Sequence, residues 1–376
     1  MKKLIFLFAM VFIASMTFSQ NTSTITQTGD NHKADITQTG MNNNAEVTQN
    51  GGNNNRIGAP VPGDPGITSG ENLSLAKGLV QEGDRNKTAI TQTGNNNVIQ
   101  QFRELRSVFN SVFQKGNDNE FKIQQIGDNN VIGQATYEYN AIEQQGGNNN
   151  YAGILQQGNS NKLFSFYQLN DGNWASITQN GNNNQIQSAS QKKQDNVSPL
   201  NNILKIEQDG NNNNITNAGE QGDNIYGNIL QDGNHNTASM QLTHSHAYGD
   251  INQVGDDNQA TVTINMSYIG NGNSGIINQN GNFNKATAAI GQSNSTLSSA
   301  NNSMSISQYN DHNDADILVE GSGNTAGILQ DGPFNIADVI QKGNLNQSSI
   351  STTGNGSHAT VLQTGNSNIA SILQHN

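Results

Sequence analysis

Apolar and polar positions alternate along this chain in short runs of period two, and the runs return every eleven residues. Near the start they read Ile25-Thr26-Gln27-Thr28-Gly29, then Ile36-Thr37-Gln38-Thr39-Gly40, then Val47-Thr48-Gln49. Ala34, Ile36 and Gln38 alternate with Lys33, Asp35 and Thr37, the pattern of a strand with one buried face. Thr39-Gly40-Met41-Asn42 follows, and Gly and Asn tolerate the positive φ of a tight turn. Each unit therefore predicts a seven-residue strand and a four-residue turn. One such unit is too small to bury a core, so its copies must stack. Two units make a flattened coil of about 22 residues, and coils stack with strands about 4.8 Å apart. The expected fold is all-β: a β-solenoid of stacked strand-turn-strand coils, amyloid-like in its cross-β spacing.

The apolar slot two residues before the Gln is the strictest. It holds Ile25, Ile36, Val47, Leu79, Ile90, Val112, Ile123, Ile142, Ile154, Phe166, Ile177 and Ile206. It continues through Ile229, Ile251, Ile277, Ile306, Ile317, Ile328, Val339, Ile350, Val361 and Ile372. β-Branched residues dominate it, as strands prefer. A stack of constant phase puts like above like, so inward amides form ladders in which each amide bonds to its copy in the next coil. The expected Gln ladder is Gln27, Gln38, Gln49, Gln81, Gln92, Gln114, Gln125, Gln144, Gln156, Gln168, Gln179, Gln208, Gln231, Gln253, Gln279, Gln308, Gln330, Gln341, Gln363 and Gln374. Val319 and Thr352 replace the Gln in two units. The expected Asn ladder is Asn43, Asn86, Asn97, Asn119, Asn130, Asn161, Asn173, Asn184, Asn213, Asn236, Asn258, Asn284, Asn313, Asn324, Asn335, Asn346 and Asn368. A lone buried amide is costly, whereas a continuous ladder satisfies donor and acceptor alike.

The phase slips at identifiable places. Residues 58–78 carry Pro60, Pro62 and Pro65, three of the 5 prolines in the chain, and are expected to leave the stack at a turn or edge. Gln101 to Asn110 and Met240 to His246 are expected to be degenerate units in register, and residues near 192–202 a second insertion. The domain plan is thus a leader over 1–19, repeats over 20–57, the Pro/Gly-rich insertion over 58–78 and the repeat solenoid over 79–376. The leader reading rests on Met1-Lys2-Lys3, the apolar run Leu4 to Ile13 and small residues up to Ser19, which is a secretory signal peptide too short to span a bilayer. The strands near Ile25 and Ile372 lack polar caps, so their edges are expected to be templates for another copy.

Composition alone, with 12% charged and 32% hydrophobic residues, would suggest disorder, and the strict phase argues against it. A formal charge of −12 opposes nucleic acid and anionic lipid as partners. With Cys 0 there is no disulfide framework. No cofactor, resident metal or catalytic residue is expected, because the charges are sparse and sit mostly in turns.

The phrase Gln-x-Gly-x-x-Asn-x-Ala-x-x-x-Gln runs through Gln38, Gly40, Asn43, Ala45 and Gln49, and again through Gln363, Gly365, Asn368, Ala370 and Gln374. Gln253, Gly255, Asn258 and Ala260 match its first half, as do Gln330, Gly332, Asn335 and Ala337. It resembles the curlin repeat of bacterial curli amyloid fibre subunits. The chain departs from that pattern by filling the slot after the turn with Asn in most units, His32 and Ser357 excepted, and by its length and insertions. The resemblance implies a secreted, extracellular structural subunit that assembles with copies of itself by templated growth. It also implies a role in biofilm matrix and adhesion, with a nucleator subunit and an outer-membrane secretion pore as partners.

Four other readings compete. His244-Ser245-His246 supplies two metal ligands without a third. Gly255-Asp256-Asp257-Asn258 looks like a calcium-binding repeat, but such repeats have a period of nine. The pairs Thr26/Thr28, Thr37/Thr39 and Thr91/Thr93 suggest an ice-binding array that Glu143/Gln145, Glu207/Asp209 and Asn278/Asn280 interrupt. The runner-up is a monomeric solenoid adhesin that binds glycans or a surface through Tyr137, Tyr139, Trp174 or Tyr226.

Overall fold

The computed structural model describes residues 20–58, 77–100, 110–133, 141–192, 201–265, 272–291 and 300–375. Two parallel sheets face each other across a thin core. The first sheet has 14 strands, from Thr22–Asp30 through Asn44–Asn53 and Lys87–Thr93 to Ile369–His375. The second has 19 strand segments, among them Ile36–Thr39, Ala189–Lys192 and His358–Thr364. Consecutive units alternate between the sheets, so a strand pairs in parallel with the unit two ahead: Ile25 lies beside Val47, and Ile350 beside Ile372. The architecture is the β-solenoid that the eleven-residue period predicts.

One inward row in each sheet is apolar throughout. Val47, Ile90, Ile123, Ile154 and Ile177 form a continuous apolar column in the first sheet, each at most 2% exposed. Leu79, Val112, Ile142 and Phe166 form its counterpart in the second, all at 0%. Each side chain is buried by its own copies above and below, which is how an eleven-residue unit acquires a core.

Register is held by these columns and not by loop length. Successive glutamines from Gln27 to Gln330 in the first sheet are 22, 43, 33, 31, 23, 29, 23, 22, 26, 29 and 22 residues apart, yet they stay in line. The extra residues enter on the second-sheet side, save one at Gly51-Gly52, where the first-sheet strand Asn44–Asn53 bulges against its neighbour. Arg56–Ile57 and Lys77–Glu82 belong to one rung of that sheet, paired with Lys33–Ala34 and Ile36–Thr39 of the rung before. Val98–Ile99 with Asn110–Lys115, and Val131–Ile132 with Ile142–Gln145, are split at the same point. The Pro-rich stretch was expected at a turn or edge, and it instead joins two halves of one strand's course. The reason is visible at Asp35, a single residue that breaks the ladder between Ala34 and Ile36. Residues added at that point leave the paired positions on both sides untouched. Residues 193–200, 266–271 and 292–299 enter instead where a second-sheet strand turns back toward the first sheet. The leader, most of 58–78 and most of the expected degenerate unit near 101–110 lie outside the described residues.

Candidate functional surface: the amide columns and the end rungs

The glutamine side chains of the first sheet form one file, unbroken from Gln27 to Gln330. Each Nε2 donates to the Oε1 of the next rung, at 2.7 Å from Gln27 to Gln49, 2.8 Å from Gln179 to Gln208 and 2.9 Å from Gln308 to Gln330. The second N–H of the same amide crosses the core: Gln279 Nε2 donates to the Gln259 carbonyl and Gln330 Nε2 to the Asp314 carbonyl. One amide thus ties a rung to the next along the stack and to the opposite sheet across it. Both donors and the acceptor are used, so a polar group can be fully buried at each rung without a desolvation penalty.

The second sheet starts the same way. Gln38, Gln81, Gln114, Gln144 and Gln168 are linked in order and end on Gln191, at 2.8 Å from Gln168. Gln191 then donates to Glu220, and beyond Glu220 the register position is held by Leu242, Ile264, Ile290 and Val319 before Gln341 and Gln363 resume. Gln341 Oε1 is buried without a partner because the Val319 side chain has no donor to give it. Thr352 makes a similar gap in the first sheet, leaving Gln374 Oε1 without a partner.

The asparagines behave differently from the amide-to-amide ladder expected for them. Asn97 Oδ1 accepts the backbone N–H of Asn130, while Asn97 Nδ2 donates to the Gly127 carbonyl of the next rung. Asn184 and Asn236 repeat both bonds with their successors. The shorter side chain reaches backbone, not its copy, and so stitches each turn to the turn beyond. Direct Asn-to-Asn side-chain bonds occur at some rungs, as from Asn324 to Asn302. Between these turns the glycines approach so closely that a Cβ on Gly210 would run into the Gly233 carbonyl, and their positive φ disfavours any side chain.

Several positions in these columns carry no Gln-x-Gly phrase: Gln191, Glu220, Leu242, Ile264 and Ile290, with Asn202, Asn273 and Asn302 at the turns, while Asn55 and Asn150 stand one residue further from theirs than the usual spacing. The asparagines held the signal. Asn236-x-Ala238, Asn258-x-Ala260 and Asn284-x-Ala286 mark three second-sheet rungs whose Gln is gone.

Outward-facing charges pair along the stack. Lys115 meets Glu82 at 3.7 Å, Lys285 meets Asp314 at 3.3 Å and Lys342 meets Glu320 at 3.6 Å, each one rung apart. A parallel stack sets outward neighbours close enough for like charges to repel, and opposite signs relieve that.

Residues 17–40 and 335–365 match the family of the curlin associated repeat. Over these two stretches the chain is similar to the curlin repeat. No curated protein matches the chain. The family of that repeat is structural and not enzymatic.

In the stack, the rows that invited other readings are occupied differently. Trp174 stacks on Tyr151 at 5.9 Å and 16°, and Tyr226 on Tyr248 at 5.1 Å and 6°. These rings turn faces toward each other along the stack, and a sugar needs an open face. Tyr137 and Tyr139 lie outside the described residues. The Thr26, Thr48 and Thr91 row passes to Gln124 and Leu155 in the next two rungs. Asp256 Oδ1 accepts from the backbone and side chain of Asn234 in a turn ladder. Among the described residues no group of three or more His, Asp or Glu is placed to hold a metal ion.

Proposed function

We propose that the chain is a secreted structural subunit of an extracellular curli-like amyloid fibre, built by stacking copies end on end and serving biofilm matrix and adhesion. The observation that carries this reading is the direction of the glutamine bonds. Every Nε2 points toward the C-terminal rung, so the last rungs offer donors from Gln363 and Gln374 where the first offer the acceptors of Gln27 and Gln38. The two ends are complementary to each other. They also carry the interior apolar column into solvent: Ile25 is 45% exposed, whereas Val47 in the next rung is at 0%. A second copy would bury it and extend both sheets, which is β-augmentation of a sheet edge by another molecule. A nucleator subunit and an outer-membrane secretion pore are the partners that this reading implies.

Seeded elongation tests it. Replacing Gln363 and Gln374 with Leu keeps side-chain bulk and removes both donors from the junction. Elongation by folded protein of unchanged circular dichroism is expected to slow more than for the same replacement at the interior Gln156 and Gln168. Equal rates for the two double variants would contradict growth through these ends.

A further inference from the structure

Among the described residues Glu220 is the one acidic residue in the file of inward amides. It is 2% exposed and sits where the glutamine column of the second sheet gives way to Leu242. Its Oε2 accepts from Gln191 Nε2 at 2.8 Å, the bond that Oε1 of a glutamine makes at every rung before it. Its Oε1 therefore stands where the ladder places a donating Nε2, and it has no hydrogen-bond partner. That oxygen lies against Gly227 of the facing sheet, close enough that a Cβ there would come within 2.7 Å. The Gly227 N–H favours the charged form weakly without reaching hydrogen-bond geometry.

We propose that Glu220 makes the stack proton-dependent: as the carboxylic acid it substitutes for the missing glutamine, and as the carboxylate it opens a seam in the second sheet. The acid has the shape and bonding of an amide, with one oxygen accepting and the other donating. The corresponding donor in the rung before, Gln191 Nε2, reaches the Trp174 carbonyl at 3.0 Å, and its counterpart for Glu220 is the Ile203 carbonyl. The carboxylate presents an acceptor where a donor belongs, buried beside Leu242, with a single N–H to hold it. Among the described residues no charge compensates it. Lys192 on the preceding strand, Lys205, Glu207, Asp209, Tyr226 and Asp232 on the facing strands all occupy outward positions, and strand Thr237–Thr243 brings no charged side chain. Burial holds the carboxyl well above its ordinary value, opposed in part by Gln191 and then by the Gly227 N–H.

The sign follows from linkage. Below the ordinary glutamate value both folded and unfolded chains are protonated, and Glu220 has no effect on folding. As pH rises above it, the unfolded chain ionises while the folded one does not, so folding takes up a proton and weakens about tenfold per pH unit. This holds whether the protein is monomer or fibre, so its failure and that of the fibre reading are separable. The test compares wild type with Glu220→Gln, which completes the amide column, and with Glu220→Leu, which extends the apolar run. Denaturation midpoints are followed from about pH 5 to about pH 8, with infrared spectra of the folded protein. Both variants are expected to gain on wild type as pH rises, about tenfold in folding constant per unit. Wild type at neutral pH is expected to show a carboxylic-acid carbonyl band that Glu220→Gln lacks. A wild-type spectrum without that band overturns the proposal even if neither variant folds. A wild-type-to-variant difference that is flat with pH overturns it as well.

Discussion

The two glutamine columns of this solenoid start alike and end differently. In the first sheet the file runs from Gln27 to Gln330 without a gap, through every change in rung length. In the second it stops at Gln191, meets a buried acid, and yields to Leu242, Ile264, Ile290 and Val319. Both halves of the second sheet nevertheless keep the same parallel register. The backbone ladder and the apolar slot beside the amide therefore suffice to stack a rung, and the amide is not required of any one rung. What the amide adds is a second tie, along the stack and across the core. It also adds a constraint on its neighbours: once a column of amides is begun, each member needs the next. An apolar run has no such memory, and its costs fall only where it meets an amide, at Glu220 and at Gln341.

That difference can be broken deliberately. The largest effect is expected for Gln208→Leu in the unbroken file. It leaves Gln231 Oε1 without its donor and takes the acceptor from Gln179. The cost should be about 2–3 kcal/mol, the penalty of an orphaned buried amide, read as a lower denaturation midpoint. Repair should show the opposite sign. Thr352→Gln would reconnect Gln330 Nε2 with Gln374 Oε1 in a slot whose neighbours already hold glutamine, and it should stabilise by about 1–2 kcal/mol. The smallest change is expected inside the apolar run, where Ile264→Val removes one methyl group and orphans nothing. About 0.5–1.5 kcal/mol is the ordinary cost of such a deletion. If Gln208→Leu proves as mild as Ile264→Val, the amide columns carry no more than their volume.

The same contrast explains what could be read from the residues. The first sheet was legible because Gln, Gly and Asn recur there together, as at Gln253, Gly255 and Asn258, and because both period and partner follow from one phrase. Rungs such as Gln259–Ile264 and Lys285–Ile290 lack that phrase, since a slot that accepts Gln between two glutamines accepts Ile between two aliphatic side chains. The phrase marks one way of filling the slot, whereas Asn258 and Asn284 mark the turn itself. Where extra residues enter was not legible. Proline at 60, 62 and 65 shows that a ladder is interrupted, and only the paired halves Arg56–Ile57 and Lys77–Glu82 show that the interruption falls within a strand's course. The bonding of Asn was misjudged because reach decides it: Gln is one methylene longer and meets its copy, while Asn meets backbone.

Fibre diffraction is the most direct measurement of whether this stack continues from one molecule into the next. Purified chain beginning at Gln20, incubated without denaturant and then aligned, is expected to form unbranched fibres with a meridional reflection at about 4.8 Å. Strands would lie across the fibre axis, as they lie across the solenoid. Protein that keeps its β-rich circular dichroism but remains monomeric for days under those conditions would contradict end-on stacking.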